Sequence, residues 1–191
     1  HGMGGAGMLA SEAALRAGTG LVFLATRGVH VPAALSRRPE VQARSVEHGH
    51  ELDALLEKVD VVVLGPGLGH DAWGQQMFQR VCGFEGPVVA DADALNLLVE
   101  AREKQHGKWV LTPHPGEAAR LLDTTVPEIE ADRYAALKRL AENYKAAVVL
   151  KGAGSLVGAP GKVPALVEAG NAGMATAGLG DVLSGVIGAL L

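Results

Sequence analysis

Short apolar runs that end on glycine, proline, aspartate or lysine constrain this chain more than any other feature. Residues 21–26, 61–64, 87–90, 109–112 and 147–150 are each four to six residues long. Runs of that length, bounded by turn residues, read as buried strands. Between them lie helical segments at 8–18, 51–58, 72–82, 118–122 and 131–145. Strands alternating with helices predict an α/β layered domain on a mainly parallel sheet. Residues 41–46 are a weaker strand. Residues 156–157 and 163–168 read as a β-hairpin around Ala159-Pro160-Gly161-Lys162.

The helix at 8–18 is alanine-rich and ends on Gly18, a C-terminal cap signal. Leu52, Leu55 and Leu56 are expected to point inward from the helix at 51–58. Tyr134, Leu137, Leu140, Ala141 and Tyr144 are spaced for one broad apolar face on the helix at 131–145.

Glycine supplies 26 of the 191 residues, about twice the usual ~7%. The glycines cluster at 2–7, 65–69, 152–161 and 170–188, which suggests backbone loops shaped around a ligand. Gly4-Gly5-Ala6-Gly7 opens the first helix. It is either a substrate cradle or a close helix–sheet contact. Gly65-Pro66-Gly67-Leu68-Gly69 follows an apolar run, where open α/β sheets bind ligands. Its spacing and Pro66 exclude a Rossmann fingerprint, and the chain has no P-loop motif.

The most informative stretch runs from Gly170 to Asp181 and continues as an apolar helix. Gly178 and Gly180 permit a tight bend and close approach to a ligand. Free amides at a helix start favour an anion. Asp181 sits at the N-cap or first turn, where it would repel a bound phosphate. Two readings stand: Asp181 caps the helix, or it takes a proton from a hydroxyl that attacks the bound group. His114, fixed between Pro113 and Pro115, follows the run at 109–112 and is a site candidate. Lys151 in Lys151-Gly152-Ala153-Gly154-Ser155 is either a phosphate partner or an exposed turn lysine. Asp91 and Asp93 are Mg²⁺ candidates, with Asp93 as a helix N-cap the commoner outcome. His48 and His50 read as a polar turn, since no third metal ligand is nearby.

Composition bounds the function. The net charge of −4 gives no basic field for nucleic acid. No apolar run approaches the ~18 residues of a membrane span, and no signal peptide is visible. Cys82 is the single cysteine, so no internal disulfide forms, and cytoplasm is the expected compartment. The length fits one domain over 1–191. That domain is expected to be truncated at both ends. No strand precedes the first glycine loop, and the last helix lacks a polar exit.

Together these segments resemble the ribokinase-like superfamily, and within it the ADP- or ATP-dependent NAD(P)H-hydrate dehydratases. The resemblance rests on Gly4–Gly7, the helix end at 13–18, the loop at 65–69, the Asp91-Ala92-Asp93-Ala94-Leu95-Asn96 run, Thr112-Pro113-His114-Pro115-Gly116-Glu117, the 151–155 turn and the 170–181 stretch. It implies a three-layer α/β/α fold that normally begins with a strand and extends past the last helix here. It implies phosphorylation of the hydroxyl of hydrated NADH or NADPH (NADHX, NADPHX), followed by loss of phosphate. Asp181 would be the base, with Gly178, Leu179 and Gly180 as anion hole. Ala6, Gly67, His114 and Asp181 would line the hydrate site. Residues Lys151, Gly152, Ala153, Gly154, Ser155 and Gly180, with Asn171 near them, would contact the nucleotide. Mg²⁺ would shield the phosphates. The resemblance also implies a homo-oligomer, a tetramer, and a fused or separate NAD(P)H-hydrate epimerase.

Two other readings compete. A thiazole or hydroxymethylpyrimidine kinase shares the same loop logic but releases a phosphorylated product. A nucleotide-binding protein without catalysis would gain nothing from Asp181 beside phosphate. The loops at 4–7 and 65–69, expected at far-apart strand ends, favour a long dinucleotide over a small heterocycle.

Overall fold

In the computed structural model, which describes residues 3–101 and 108–191, the apolar runs are strands. They are β1 (Phe23–Thr26), β2 (Gln42–Ser45), β3 (Val62–Leu64), β4 (Val88–Ala90), β5 (Trp109–Leu111) and β6 (Ala147–Leu150). The hairpin adds β7 (Ser155–Gly158) and β8 (Ala165–Val167). Strands β3 to β6 pair in parallel, with Val62 opposite Val88, Val88 opposite Trp109 and Val110 opposite Ala147. The hairpin then extends this sheet antiparallel from β6. One expectation is corrected here. β1 and β2 form their own parallel pair rather than joining the main sheet. A cavity of about 850 Å³ is lined by Leu24 of β1 and Val63 of β3 among others.

The helices are α1 (Gly4–Arg16), α2 (Val31–Arg37), α3 (Asp53–Leu56), α4 (Ala72–Cys82), α5 (Asp93–Glu100), α6 (Pro115–Leu121), α7 (Val126–Ala131), α8 (Arg133–Tyr144) and α9 (Leu179–Leu190). α4 lies where its spacing places it, capped by Asp71, which accepts from the Gly74 amide at 3.1 Å. The main core gathers Val88, Ala90, Leu95, Leu98, Leu111, Leu140, Val148 and Leu150, all buried.

Several segments differ from the sequence reading, each for a local reason. Gly4-Gly5-Ala6-Gly7 is the first turn of α1, not a loop. Glycine costs a helix about 1 kcal/mol, but here neighbours crowd the backbone. A Cβ on Gly4 would stand 3.0 Å from the His30 ring, and one on Gly7 3.0 Å from Leu24 Cδ1. Gly2, in the same cluster, lies outside the described residues. The helix at 51–58 is a 3-10 turn (Gly49–Leu52) followed by α3, and of its three leucines only Leu52 is buried. His48 caps that turn in a capping box with Glu51. Between β1 and β2, where the apolar pattern has no clear period, Gly28–His30 form a 3-10 turn and Val31–Arg37 form α2.

The helix expected at 131–145 begins only at Arg133. Asp132 caps it by accepting from the Ala135 amide at 2.9 Å. α7 precedes it, opened by the Thr125–Glu128 capping box. Leu137, Leu140, Ala141 and Tyr144 are buried as expected, but Tyr134 is half exposed. The buried Tyr144 hydroxyl donates to the Leu121 carbonyl at 3.0 Å, tying α8 to α6. α6 itself starts three residues earlier than expected, because Pro115 suits the first helical position.

Candidate active site

The parallel strands β3, β4, β5 and β6 all deliver site segments at their carboxyl ends, on one edge of the sheet. β3 runs into the 65–69 loop, β4 into Asp91, β5 into Thr112 and His114, and β6 into Lys151. The first turn of α9 comes to the same edge. A Cβ on Gly180 would stand 3.4 Å from Lys151 Nζ and 3.5 Å from Asp91 Oδ2. Glycine at 180 therefore lets the helix start approach a charged pair.

That pair is the centre of the site. Lys151 Nζ donates to Asp91 Oδ1 at 2.6 Å. Ser184 Oγ, fully buried, donates to Asp91 Oδ2 at 2.8 Å and has the Gly180 carbonyl 3.0 Å away. Glu117 Oε2 lies 3.9 Å from Lys151 Nζ. Asp91 is 2% exposed. Its amide donates to the Leu64 carbonyl at 3.0 Å. Its own carbonyl fills the space beside Gly65, where a Cβ would overlap it and φ is +123°. Asp93 corrects the sequence reading. Ala92, at φ +46°, occupies the N-cap and Asp93 is the first residue of α5. It accepts from the Gly69 amide at 2.8 Å and pairs with His70 Nε2 at 3.0 Å. Among the described residues no group of three or more His, Cys, Asp or Glu side chains is arranged to hold a metal ion.

Asp181 lies in the first turn of α9, after Gly178 at the N-cap in the left-handed region (φ +89°). It is half-buried. Burial pushes its pKa up, the negative charge of Asp91 adds to this, and Lys151 pulls it back down. Burial and a like charge thus outweigh the Lys151 cation, which favours ionisation. Gly178, Leu179 and Gly180 carry the opening amides of this helix, which have no partner within it; the Leu179 amide donates to the Thr176 carbonyl at 3.4 Å.

His114 is the N-cap of α6. Its Nδ1 accepts from the Gly116 amide at 3.0 Å and the Glu117 amide at 3.3 Å, while Glu117 Oε2 accepts from the His114 amide at 2.8 Å. These bonds hold the ring, about half of which faces solvent. Ala6 and Gly67 meet: a Cβ on Gly67 would stand 3.4 Å from Ala6 Cβ and would overlap the Met3 carbonyl. The first turn of α1 and the 65–69 loop are therefore adjacent, and the expectation that these two segments sit far apart along the sheet is corrected.

Lys151 to Ser155 form the turn from β6 to β7, with the Lys151 amide on the Pro113 carbonyl at 2.9 Å and Ser155 Oγ on the Gly152 carbonyl at 3.2 Å. Asn171 Oδ1 accepts from the Gly173 amide at 2.9 Å and caps its own 3-10 turn; its hydrogen bond does not reach the Lys151 cluster. Sequence reasoning missed Ser184, Glu117 and Arg133 as site-building residues. Glu117 had a signal, since it stands three residues after a capping His114. Arg133 had none, because the carbonyls it donates to lie seventeen or more residues away.

The bifunctional NAD(P)H-hydrate repair enzyme Nnr of Escherichia coli is 51% identical over 194 residues, covering all of this chain and 37% of that protein. The ADP-dependent (S)-NAD(P)H-hydrate dehydratase of Neisseria meningitidis is 42% identical, covering all of this chain and 66% of that protein. The chain thus spans less than two-fifths of the first relative. The ADP/ATP-dependent NAD(P)H-hydrate dehydratase of Bacillus subtilis, co-crystallised with ATP/Mg²⁺, superposes with a TM-score of 0.86 at 31% identity, over 98% of this chain and 68% of that one. Another solved neighbour is described as a ribokinase-like superfamily protein of Enterococcus faecalis, at a TM-score of 0.89 and 30% identity over 98% of this chain and 66% of that one, so the α/β fold is ribokinase-like. With a family model matching residues 1–191, the chain belongs to the carbohydrate-kinase-like NAD(P)H-hydrate dehydratase family.

Proposed function

We propose that this chain dehydrates hydrated NADH and NADPH back to NADH and NADPH, using ADP or ATP as phosphoryl donor. The observation that carries this reading is Asp181, a half-buried carboxylate with raised proton affinity at the start of α9, beside the Lys151–Asp91 pair. A base of that kind is poised to take the proton of the ring hydroxyl. The freed oxygen attacks the terminal phosphoryl and the bridging P–O bond breaks, releasing AMP from ADP or ADP from ATP; the charge on the moving group is met by amides of Gly178, Leu179 and Gly180 and by the Lys151 ammonium. Phosphate then leaves with the C–O bond electrons, an adjacent ring C–H proton is lost, and the ring double bond returns. Ala6, Gly67 and His114 bound the hydrate side. The 151–155 turn, with Asn171, serves the nucleotide.

Magnesium enters this scheme as part of the nucleotide substrate. Mg²⁺ keeps most of its waters and is commonly held by phosphates with one or two carboxylates, which fits a site lacking a three-ligand cluster among its described residues. The described residues contain no helix long and apolar enough to cross a membrane. A single catalytic unit over 1–191, a cytoplasmic setting, assembly as a homotetramer and partnership with an NAD(P)H-hydrate epimerase complete the proposal. The bifunctional names of the relatives support that partnership.

The test is direct. Hydrated NADH is mixed with the protein and MgADP or MgATP, and NADH absorbance is followed. Nucleotide-dependent return of NADH is expected. Phosphorylation and release of a hydroxyethylthiazole or hydroxymethylpyrimidine, with no NADH formed, would replace this reading with a vitamin-alcohol kinase.

A further inference from the structure

Three parts of the site converge on Asp91. Its carbonyl packs on Gly65 of the loop that carries Gly67. One carboxylate oxygen holds Lys151 at 2.6 Å, and the other takes the Ser184 hydroxyl at 2.8 Å, one helical turn beyond Gly180. The residues come from 60 and 93 positions away in sequence. A buried ion pair adds little net stability compared with apolar packing, so stability alone is a poor reason to keep one here. Its geometry offers a better one. A lysine ammonium has three donors. The bond to Asp91 uses one, and Glu117 at 3.9 Å lies beyond hydrogen-bond distance, so two N–H groups remain. The long side chain is already ordered, and its rotamer entropy is not lost again when a ligand arrives.

We propose that Asp91, braced by Ser184, is a positioning residue that fixes the Lys151 ammonium beside the first turn of α9, ready for the phosphates of the donor nucleotide. This rests on the phosphoryl-transfer reading of the site. Asp91 touches neither substrate in this scheme and acts on the nucleotide through Lys151.

The test is a double-mutant cycle on the intact protein, read by calorimetric ADP binding and by KM and kcat. Asp91→Asn and Lys151→Met should each weaken ADP binding about tenfold, and the double variant no more than either alone, the coupling expected of groups in direct contact. KM for the hydrate should stay within about twofold in Asp91→Asn while KM for nucleotide rises by about tenfold. Losses that multiply in the double variant, or unchanged nucleotide affinity in Asp91→Asn, would overturn the proposal. Should Asp91→Asn fail to fold, Ser184→Ala replaces it in the same cycle. A few-fold loss that vanishes in the Lys151→Met background supports the proposal, and an equal loss in both backgrounds refutes it. The outcomes separate the two claims. ADP binding with this coupling but no return of NADH rejects the dehydratase reading and leaves the positioning role standing. Failure of the unaltered protein to bind ADP removes both.

Discussion

Arg133 occupies the space that a side chain on Gly152 would need. A Cβ at Gly152, where φ is +151°, would stand 2.6 Å from Arg133 Nη1. The guanidinium reaches from α8 and donates to three carbonyls of the turn: Ala153 at 3.0 Å, Leu150 at 3.2 Å and Lys151 at 3.2 Å. A helix residue thus shapes the turn assigned to the nucleotide. Lysine has no planar fork to meet three carbonyls. Arg133→Lys is expected to raise KM for ADP or ATP about fivefold to tenfold, on the order of 1 kcal/mol, with KM for the hydrate unchanged. Steady-state kinetics with each substrate varied in turn check this.

A second expectation concerns the crossing of α1 and α9. A Cβ on Gly185 would overlap the Ala10 carbonyl oxygen, which is backbone and has little room to yield. Gly185→Ala should therefore destabilise the protein by roughly 1–3 kcal/mol, the usual cost of overpacking. Because Ser184 precedes it, nucleotide affinity should fall as well. Denaturant melts and ADP titrations on the same preparation measure both.

Glu12 gives a pH-dependent expectation away from the site. Arg38, Arg37 and Arg16 surround its carboxylate, at 2.6, 3.0 and 2.8 Å. Hydrogen bonds from Arg38 first and Arg37 next hold its pKa down at about 2. The folded value is below the ordinary ~4.3 of an unfolded glutamate. Its contribution to stability is thus complete above that value and fades as pH falls towards about 2. Glu12→Gln should lower the melting temperature at neutral pH, and the difference from the unaltered protein should shrink between about pH 5 and about pH 2. A difference that is constant across this range would remove the charge argument.

The strands and the capped helix α4 are legible because they depend on local patterning and caps. The split between α7 and α8 was also written locally, in Thr125–Glu128 and in Asp132, although apolar spacing alone runs the two helices together. Gly4 to Gly7 misled for the opposite reason. Glycines favour loops locally, and only His30 and Leu24 packing on them explains why they are helical. Of the site, the segments at 65–69, 112–117, 151–155 and 178–181 were visible as strand ends and helix starts. What joins them was not. The Asp91, Lys151 and Ser184 contacts span 60 and 93 residues and arise only once parallel strands bring their ends together.

The last expectation tests Asp181 as the base. A base must be ionised to accept a proton, so activity should fall as pH drops through its pKa. Burial and the negative charge of Asp91 raise that pKa above the ordinary ~3.9 of aspartate. The acid limb of kcat/KM should therefore lie above that value. The two charges that face Asp181 come from the ends of β4 and β6, and they act in opposite senses. Lys151→Met removes the cation that lowers the pKa, so the limb should move to higher pH. Asp91→Asn removes the like charge that raises it, so the limb should move to lower pH. Asp181→Asn should abolish the limb and cut turnover by roughly 10²–10⁴-fold, the usual range for a general base, while ADP still binds. If Asp181→Asn keeps turnover within a few-fold and the limb stays in place, another group takes the proton and Asp181 serves the first turn of α9 alone.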